Sequence, residues 1–342
     1  MSNPLFNNTA DFEDCFRRQL LHLLELPLNA DAPGLFILVM ANLSLLPELA
    51  ESLGPALQAR YRDIRNHLDE REDDIAPDDL AVFCKLERFN PARPPIAAQR
   101  MAGPWQLQFN PMRSLRPARN SVATIQRLHQ PFDEGAFHFD KPFLAREILW
   151  RGDTDGGELR LLFNKFPFAR YHCLALFDAS EHRPQYLSAK DLQQLLRVMD
   201  RLSSLEGLSF AWNSLGAQAS VNHQHWQMTL RERPYAIESP LWRHNGGDRT
   251  YPLEVETFSG AETLWSAIDA CQQQNRAFNL YLRPGRYWLI HRRLQGGYEV
   301  PKWAGGLAWS EVCGSFSLGD ETAFRGLDAE QIESILASLK ES

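Results

Sequence analysis

AWNSLGAQASVNHQHWQMTL, residues 211–230, sets two histidines one residue apart and a glutamine two further on. If residues 221–230 form a strand, alternation sends His223, His225, Gln227 and Thr229 to one face. Gln224, Trp226, Met228 and Leu230 then share the other. A strand with one polar and one apolar stripe is ordinary; a stripe of imidazole, imidazole and carboxamide asks for a reason. Three readings stand. The stripe is a solvated face carrying incidental histidines. Alternatively the pair supplies two metal ligands, with a third such as His172 or His291. In the third reading a neutral imidazole attacks phosphorus and carries the group as a phosphoramidate, while its neighbours orient it and donate to phosphate oxygens. The run of small residues just ahead, Gly216, Ala217, Ala219 and Ser220, lets backbone amides approach an anion, and Ser220 adds a hydroxyl donor.

Outward from this stretch, the N-terminal side looks helical. Residues 11–26 and 45–70 carry apolar residues at three- and four-residue spacing. The segment ERFNPARPPIAAQRMAGP, residues 87–104, breaks that pattern with prolines and Gly103. Short aliphatic and aromatic runs follow and predict strands at 105–109, 121–129, 159–167 and 171–177, with a hairpin at 278–293 turning on Pro284 and Gly285. Between them, Ser188 and Asp191 form an acidic capping box for a helix that ends at Gly207. Further helices are predicted over 262–275 and 328–340. The expected fold is α+β: helices against a mainly antiparallel sheet over 96–342, with a helical N-terminal region over 1–95.

Composition narrows the function classes. The chain has 342 residues, 44% hydrophobic and 23% charged, with a net charge of −7, enough for a substantial core without staples. With no Lys/Arg run, neither nucleic acid nor an anionic membrane is the expected partner. Cys15, Cys84, Cys173, Cys271 and Cys313 lie far apart with no CxxC pair, so reduced thiols and a cytoplasmic location are expected. The longest apolar run, from Leu35, is too short to span a bilayer. Arg113, Arg116 and Arg119, spaced by three, are either a solvated basic face or guanidinium forks for phosphate.

NSLGAQASVNHQHWQ, residues 213–227, resembles the signature of the GDP-hexose phosphorylases, a branch of the histidine-triad superfamily alongside galactose-1-phosphate uridylyltransferase and the diadenosine tetraphosphate phosphorylases. The blocks LQFNPMRSLRPAR, HQPFDEGAFHF, NKFPFARYHCLALF, FNLYLRPGRYWLIHRR and WSEVCGSFSLGDETAF resemble the family's other blocks in the same order, over roughly residues 104–340. The resemblance implies the galactose-1-phosphate uridylyltransferase-like fold and makes His225 the nucleophile that carries a nucleotidyl group. It further implies that His223 braces the site and that Gln227 donates to the α-phosphate where a hydrolase has its third histidine.

Ser220 and Asn213 match positions that contact phosphate and the ribose side of the nucleotide; Asn164 matches the asparagine near the nucleoside, and Lys165 stands where the wider superfamily often has lysine. The expected activity is phosphorolysis of an NDP-hexose, with a GDP-hexose first in line, to hexose 1-phosphate and NDP. Inorganic phosphate is the co-substrate and neither a cofactor nor a metal is expected. Alternatives are a dinucleoside polyphosphate phosphorylase, a nucleotidyl transfer between sugar phosphates, and a nucleotide- or metal-binding protein without turnover. The sequence leaves the oligomeric state open.

Overall fold

The computed structural model describes residues 5–71, 75–116 and 124–341. Four helices open the chain: α1 Thr9–Glu25, α2 Ala32–Leu43, α3 Pro47–Arg71 and α4 Pro77–Lys85. Every residue of α2 is buried, which explains why it shows no polar stripe. Among the described residues no helix is long and apolar enough to cross a membrane. Strand structure starts with β1 Ala98–Ala102 and β2 Trp105–Phe109, then β3 Ile148–Thr154, β4 Gly157–Phe163 and β5 Cys173–Phe177. Helix α5, Ala189–Arg201, carries the predicted Ser188/Asp191 capping box. After it come β6 Leu208–Asn213, β7 Trp226–Leu230, β8 Glu254–Phe258, α6 Ala261–Gln273, β9 Phe278–Arg283 and β10 Arg286–His291. The chain closes with α7 Trp309–Val312, β11 Ser315–Leu318, α8 Glu321–Gly326 and α9 Ala329–Ser338.

Eight strands make one antiparallel sheet in the order β3-β4-β5-β7-β6-β9-β10-β8. The fold is α+β with a mainly antiparallel sheet, as the sequence implied. A separate three-stranded sheet, β1-β2-β11, pairs β2 with β11 in parallel. Alternation along β7 puts Trp226, Met228 and Leu230 into the large core, which the sheet shares with α1 to α6. Phe16 of α1 illustrates the join: fully buried, it meets Phe163 at 4.8 Å and Tyr171 at 5.1 Å edge-on. Burying such a ring contributes roughly 1.5–3 kcal/mol, so the helical region and the sheet stand as one core.

Among the described residues the opposite face carries two apolar clusters. Over β6, β9 and β10, a second apolar cluster joins Tyr281, Trp288 and Ile290 to Trp242, Trp309 and the small sheet. Over β4 and β5, a satellite cluster gathers Phe139, Leu144, Leu162, Leu176, Ala179 and Val221. Polar side chains of β6 and β7 fill the gap between the two clusters.

Three expectations need correction. Residues 221–225 are irregular, and β7 begins only at Trp226, so the two histidines sit just off the strand. The strand predicted over 121–129 is not formed in its described part, 124–129. Helix α5 ends at Arg201, and Gly207 serves the turn into β6. With φ of +72°, Gly207 lies so close to Arg231 that an added Cβ would sit 1.9 Å from its carbonyl oxygen.

Candidate active site

Both strands that flank β7 stop pairing with it near the histidines. β5 reaches Trp226 through Ala175, and β6 reaches Gln227 through Ala211. Beyond that point a buried side chain replaces the ladder. The His225 N–H donates to Gln185 Oε1 at 2.9 Å, while Gln185 Nε2 donates to the carbonyls of Asn213 (3.0 Å) and His225 (3.2 Å). Gln185 thereby holds the His225 backbone where a strand partner would. Nothing in the sequence singled it out.

The hydrogen bonds fix the chemistry of each imidazole. Nδ1 of His225 lies 2.7 Å from the carbonyl oxygen of His223. A carbonyl can only accept, so Nδ1 carries the proton and the ring's in-plane lone pair belongs to Nε2. His223 has the opposite tautomer. Its Nε2–H donates to the Ala179 carbonyl at 3.0 Å, and its Nδ1 accepts from the Phe139 N–H at 3.1 Å. Burial is the main cause that pushes the His223 pKa down to about 4, with His225 next. With both ring nitrogens committed to backbone, His223 can neither attack nor take a metal without breaking a buried bond, so the paired-ligand reading has no support in this geometry. Among the described residues no group of three or more His, Cys, Asp or Glu is placed to hold a metal ion. Phe139 packs its ring against both histidines, with centroids 4.8 Å from His225 and 6.0 Å from His223.

Gln227 projects from β7 into the polar gap. Its Oε1 takes the Trp309 indole N–H at 2.8 Å and His172 Nε2 at 3.0 Å. Indole can only donate, so this oxygen assignment is forced, and the amide NH2 is turned the other way. His172 is fully buried, and burial pushes its pKa down to about 3, so it stays neutral and donates from Nε2. Asn164 Nδ2 approaches the same Nε2 at 3.3 Å while Asn164 Oδ1 accepts from the Phe166 N–H at 3.0 Å. One nitrogen cannot donate to Gln227 and accept from Asn164 together. The shorter contact to an acceptor already fixed by Trp309 prevails, which leaves the Asn164 amide hydrogens for another partner.

Arg113 reaches the same region. It donates to the Phe166 carbonyl at 3.2 Å and lies over the Phe168 ring. Burial lowers its pKa and Glu311 opposes that; burial in turn raises the Glu311 pKa, opposed by Arg113.

The other candidates divide. The Oδ1 of buried Asn213 is taken by Asn279 Nδ2 (2.7 Å) and the Trp309 N–H (3.0 Å), so it braces β6, β9 and α7. Gly216 is packed under Leu128 and Leu294, where an added Cβ would meet Leu294 at 2.4 Å; packing alone accounts for this glycine. Lys165 is turned to α4 and paired with Asp79 at 2.6 Å, so its charge is already met there. Ser220 is exposed on the loop leading to the histidines, and Arg116 is partly exposed after the turn that carries Arg113. Arg119 lies outside the described residues. His172 entered the sequence reading as a candidate third metal ligand and within the block NKFPFARYHCLALF, and Trp309 only as part of a C-terminal block.

The two neutral histidines make stability depend on pH. In the folded state their pKa values lie near 4 and 3, below the usual 6.5. Between those limits the unfolded chain binds protons that the folded chain refuses, so acid favours unfolding. Each histidine withdraws about 1.4 kcal/mol per pH unit over that range. Urea unfolding at pH 7.5 and 5.5 should give lower stability at 5.5, and His223→Gln should flatten the slope. An equal or higher value at pH 5.5 would refute the assignment.

Comparisons with known proteins come from sequence and from structure. Residues 100–229 match the family described as GDPGP1-like, N-terminal domain. That span contains Arg113, Asn164, His172, Asn213 and the histidine row through Gln227. The fold is similar to that of yeast Ap4A phosphorylase Apa2 in complex with AMP, with a TM-score of 0.50 and 16% identity, covering 72% of this chain and 89% of that one. The same yeast protein without that ligand gives a TM-score of 0.49 at 15% identity, over 72% of this chain and 88% of that one. No curated protein sequence matches the chain. Over residues 100–229 the family match supports the resemblance to the GDP-hexose phosphorylases.

Proposed function

From this family match, and from a fold shared with yeast Ap4A phosphorylase, we infer that the protein is a nucleotide phosphorylase. Its preferred donor is an NDP-hexose, with guanine as the base the family match favours. The observation that carries the mechanism is the bond from His225 Nδ1 to the His223 carbonyl, which puts the lone pair on Nε2. In the first step Nε2 bonds to the α-phosphorus, the bond from that phosphorus to the bridging oxygen breaks, and hexose 1-phosphate leaves with the electron pair. The imidazole keeps its Nδ1 proton throughout, and its positive character is spread toward the His223 carbonyl. In the second step an oxygen of inorganic phosphate attacks the same phosphorus, the N–P bond breaks, and NDP departs.

Gln227 supports acceptance of phosphate over water. Its NH2 can donate to a nonbridging oxygen, yet a carboxamide cannot shuttle a proton to or from water. Arg113 adds positive charge close by for the incoming phosphate. Asn164, whose amide hydrogens are left for another partner, is assigned to the nucleoside side. A cytoplasmic location belongs to the same reading, since all five cysteines are free thiols.

The similarity to an Ap4A phosphorylase favours a second reading, in which a dinucleoside polyphosphate is the donor and the chemistry is unchanged. Anion-exchange analysis of GDP-, ADP- and UDP-hexoses and diadenosine tetraphosphate, each with and without phosphate, decides between them. The expected result is phosphate-dependent NDP and hexose 1-phosphate from one sugar nucleotide. Release of NMP regardless of phosphate would mean hydrolysis. An absence of product with every donor, together with no mass gain on the intact protein, would mean a binding protein.

A further inference from the structure

Phe137 and Phe143 are the most exposed phenylalanines of the structure, at 50% and 52% of full residue exposure. Their loop is not loose. Asp140 is ion-paired with Arg160 and contacted by His182, Leu144 is buried in the satellite cluster, and the Phe139 N–H is bonded to His223. The segment tied at these points presents two large apolar side chains to water next to each other.

Phe137 contacts Phe139 edge-on at 5.7 Å, and Phe139 contacts the His225 ring at 4.8 Å. Phe143 lies 6.4 Å from Phe137, the two planes inclined by 47°. Beneath them the satellite cluster runs back to Leu174, which is paired in register with Gln227. An apolar strip thus leads outward from the His225 ring through Phe139 and ends in two half-exposed phenylalanines.

We propose that Phe137 and Phe143 form the stacking platform for the nucleobase of the donor. The inference rests on the proposed nucleotidyl transfer and adds the site that holds the base. The base is the one flat, weakly hydrated part of a sugar nucleotide, and stacking on aromatic side chains is its usual mode of recognition. It is also the part that stays. The hexose leaves in the first step, whereas the base remains tethered to His225 until the second, so a platform one ring removed from His225 serves both.

The test compares GMP, which has the base and no hexose, with ribose 5-phosphate, which has neither, by calorimetric titration of the full-length protein. The variant Phe137→Ala/Phe143→Ala should weaken GMP binding at least about fivefold, the low end of what losing one stacked base costs. Ribose 5-phosphate should bind the variant and the wild type within about twofold, and Phe137→Trp/Phe143→Trp should restore GMP binding. Since both residues are half exposed, the variants are expected to fold, and circular dichroism checks that. Unchanged GMP affinity, or equal weakening of both ligands, overturns the platform while the phosphorylase reading stands on the product analysis. A loss seen only with hexose-bearing donors also overturns it, in favour of a hexose site. If the wild type neither binds GMP nor turns over any donor, the phosphorylase reading falls and the platform with it.

Discussion

His225→Ala protein should lose phosphorolysis by a factor on the order of 10⁴ or more and gain no mass when mixed with donor. The size follows from the absence of a substitute. The neighbouring imidazole, His223, has both nitrogens bonded to backbone, and His172 is fully buried behind Gln227 with its Nε2 hydrogen given to that amide. Neither can move into line with an α-phosphorus without opening a buried hydrogen bond. The binding groups survive the change, so donor affinity should stay within several-fold while kcat collapses. That split separates loss of the nucleophile from loss of the fold. Intact-mass analysis of the wild type, quenched before phosphate is added, should show one nucleotidyl group. Retention of more than about one percent of wild-type turnover in His225→Ala would sink the covalent route.

Much of the scaffold was legible because local rules and tertiary structure agree. The capping box at Ser188 and Asp191, the hairpin at Pro284 and Gly285 and the alternation in β7 are all present. The misreading at 221–225 has a physical cause. Alternation assumes a continuous ladder, and here the ladder ends at Trp226 and Gln227, with Gln185 taking over from 40 residues away in the chain. A side chain that imitates a strand partner leaves no periodic trace. The histidine row was readable as a motif, but its tautomers were not. They depend on Ala179, Phe139 and the His223 carbonyl, and two of those three lie in other segments. The same holds for Gln227, whose orientation is set by Trp309, 82 residues downstream. Lys165 was legible as a superfamily position, whereas its ion-pair partner, Asp79 of α4, lies 86 residues away and was not.

The second large effect belongs to Gln227, and two substitutions separate its roles. In Gln227→Glu, one carboxylate oxygen can still accept from Trp309 and His172, so packing and the strand should persist. The other oxygen then faces the phosphate where an NH2 stood. A donor is lost and a negative charge is placed against an anion, so kcat should fall about 10²- to 10³-fold, with product ratios unchanged. Gln227→His tests the choice of acceptor. An imidazole there can take and return a proton, which the carboxamide cannot, so water becomes a competent second nucleophile. The expected result is a rise in NMP relative to NDP at fixed phosphate, read by anion-exchange chromatography, even where total turnover falls. The Trp309 N–H and His172 both aim at the Gln227 oxygen, so the orientation of this amide is set by donors from two distant segments. An unaltered NMP to NDP ratio in Gln227→His would mean that water is excluded by some other feature, and that the carboxamide only binds.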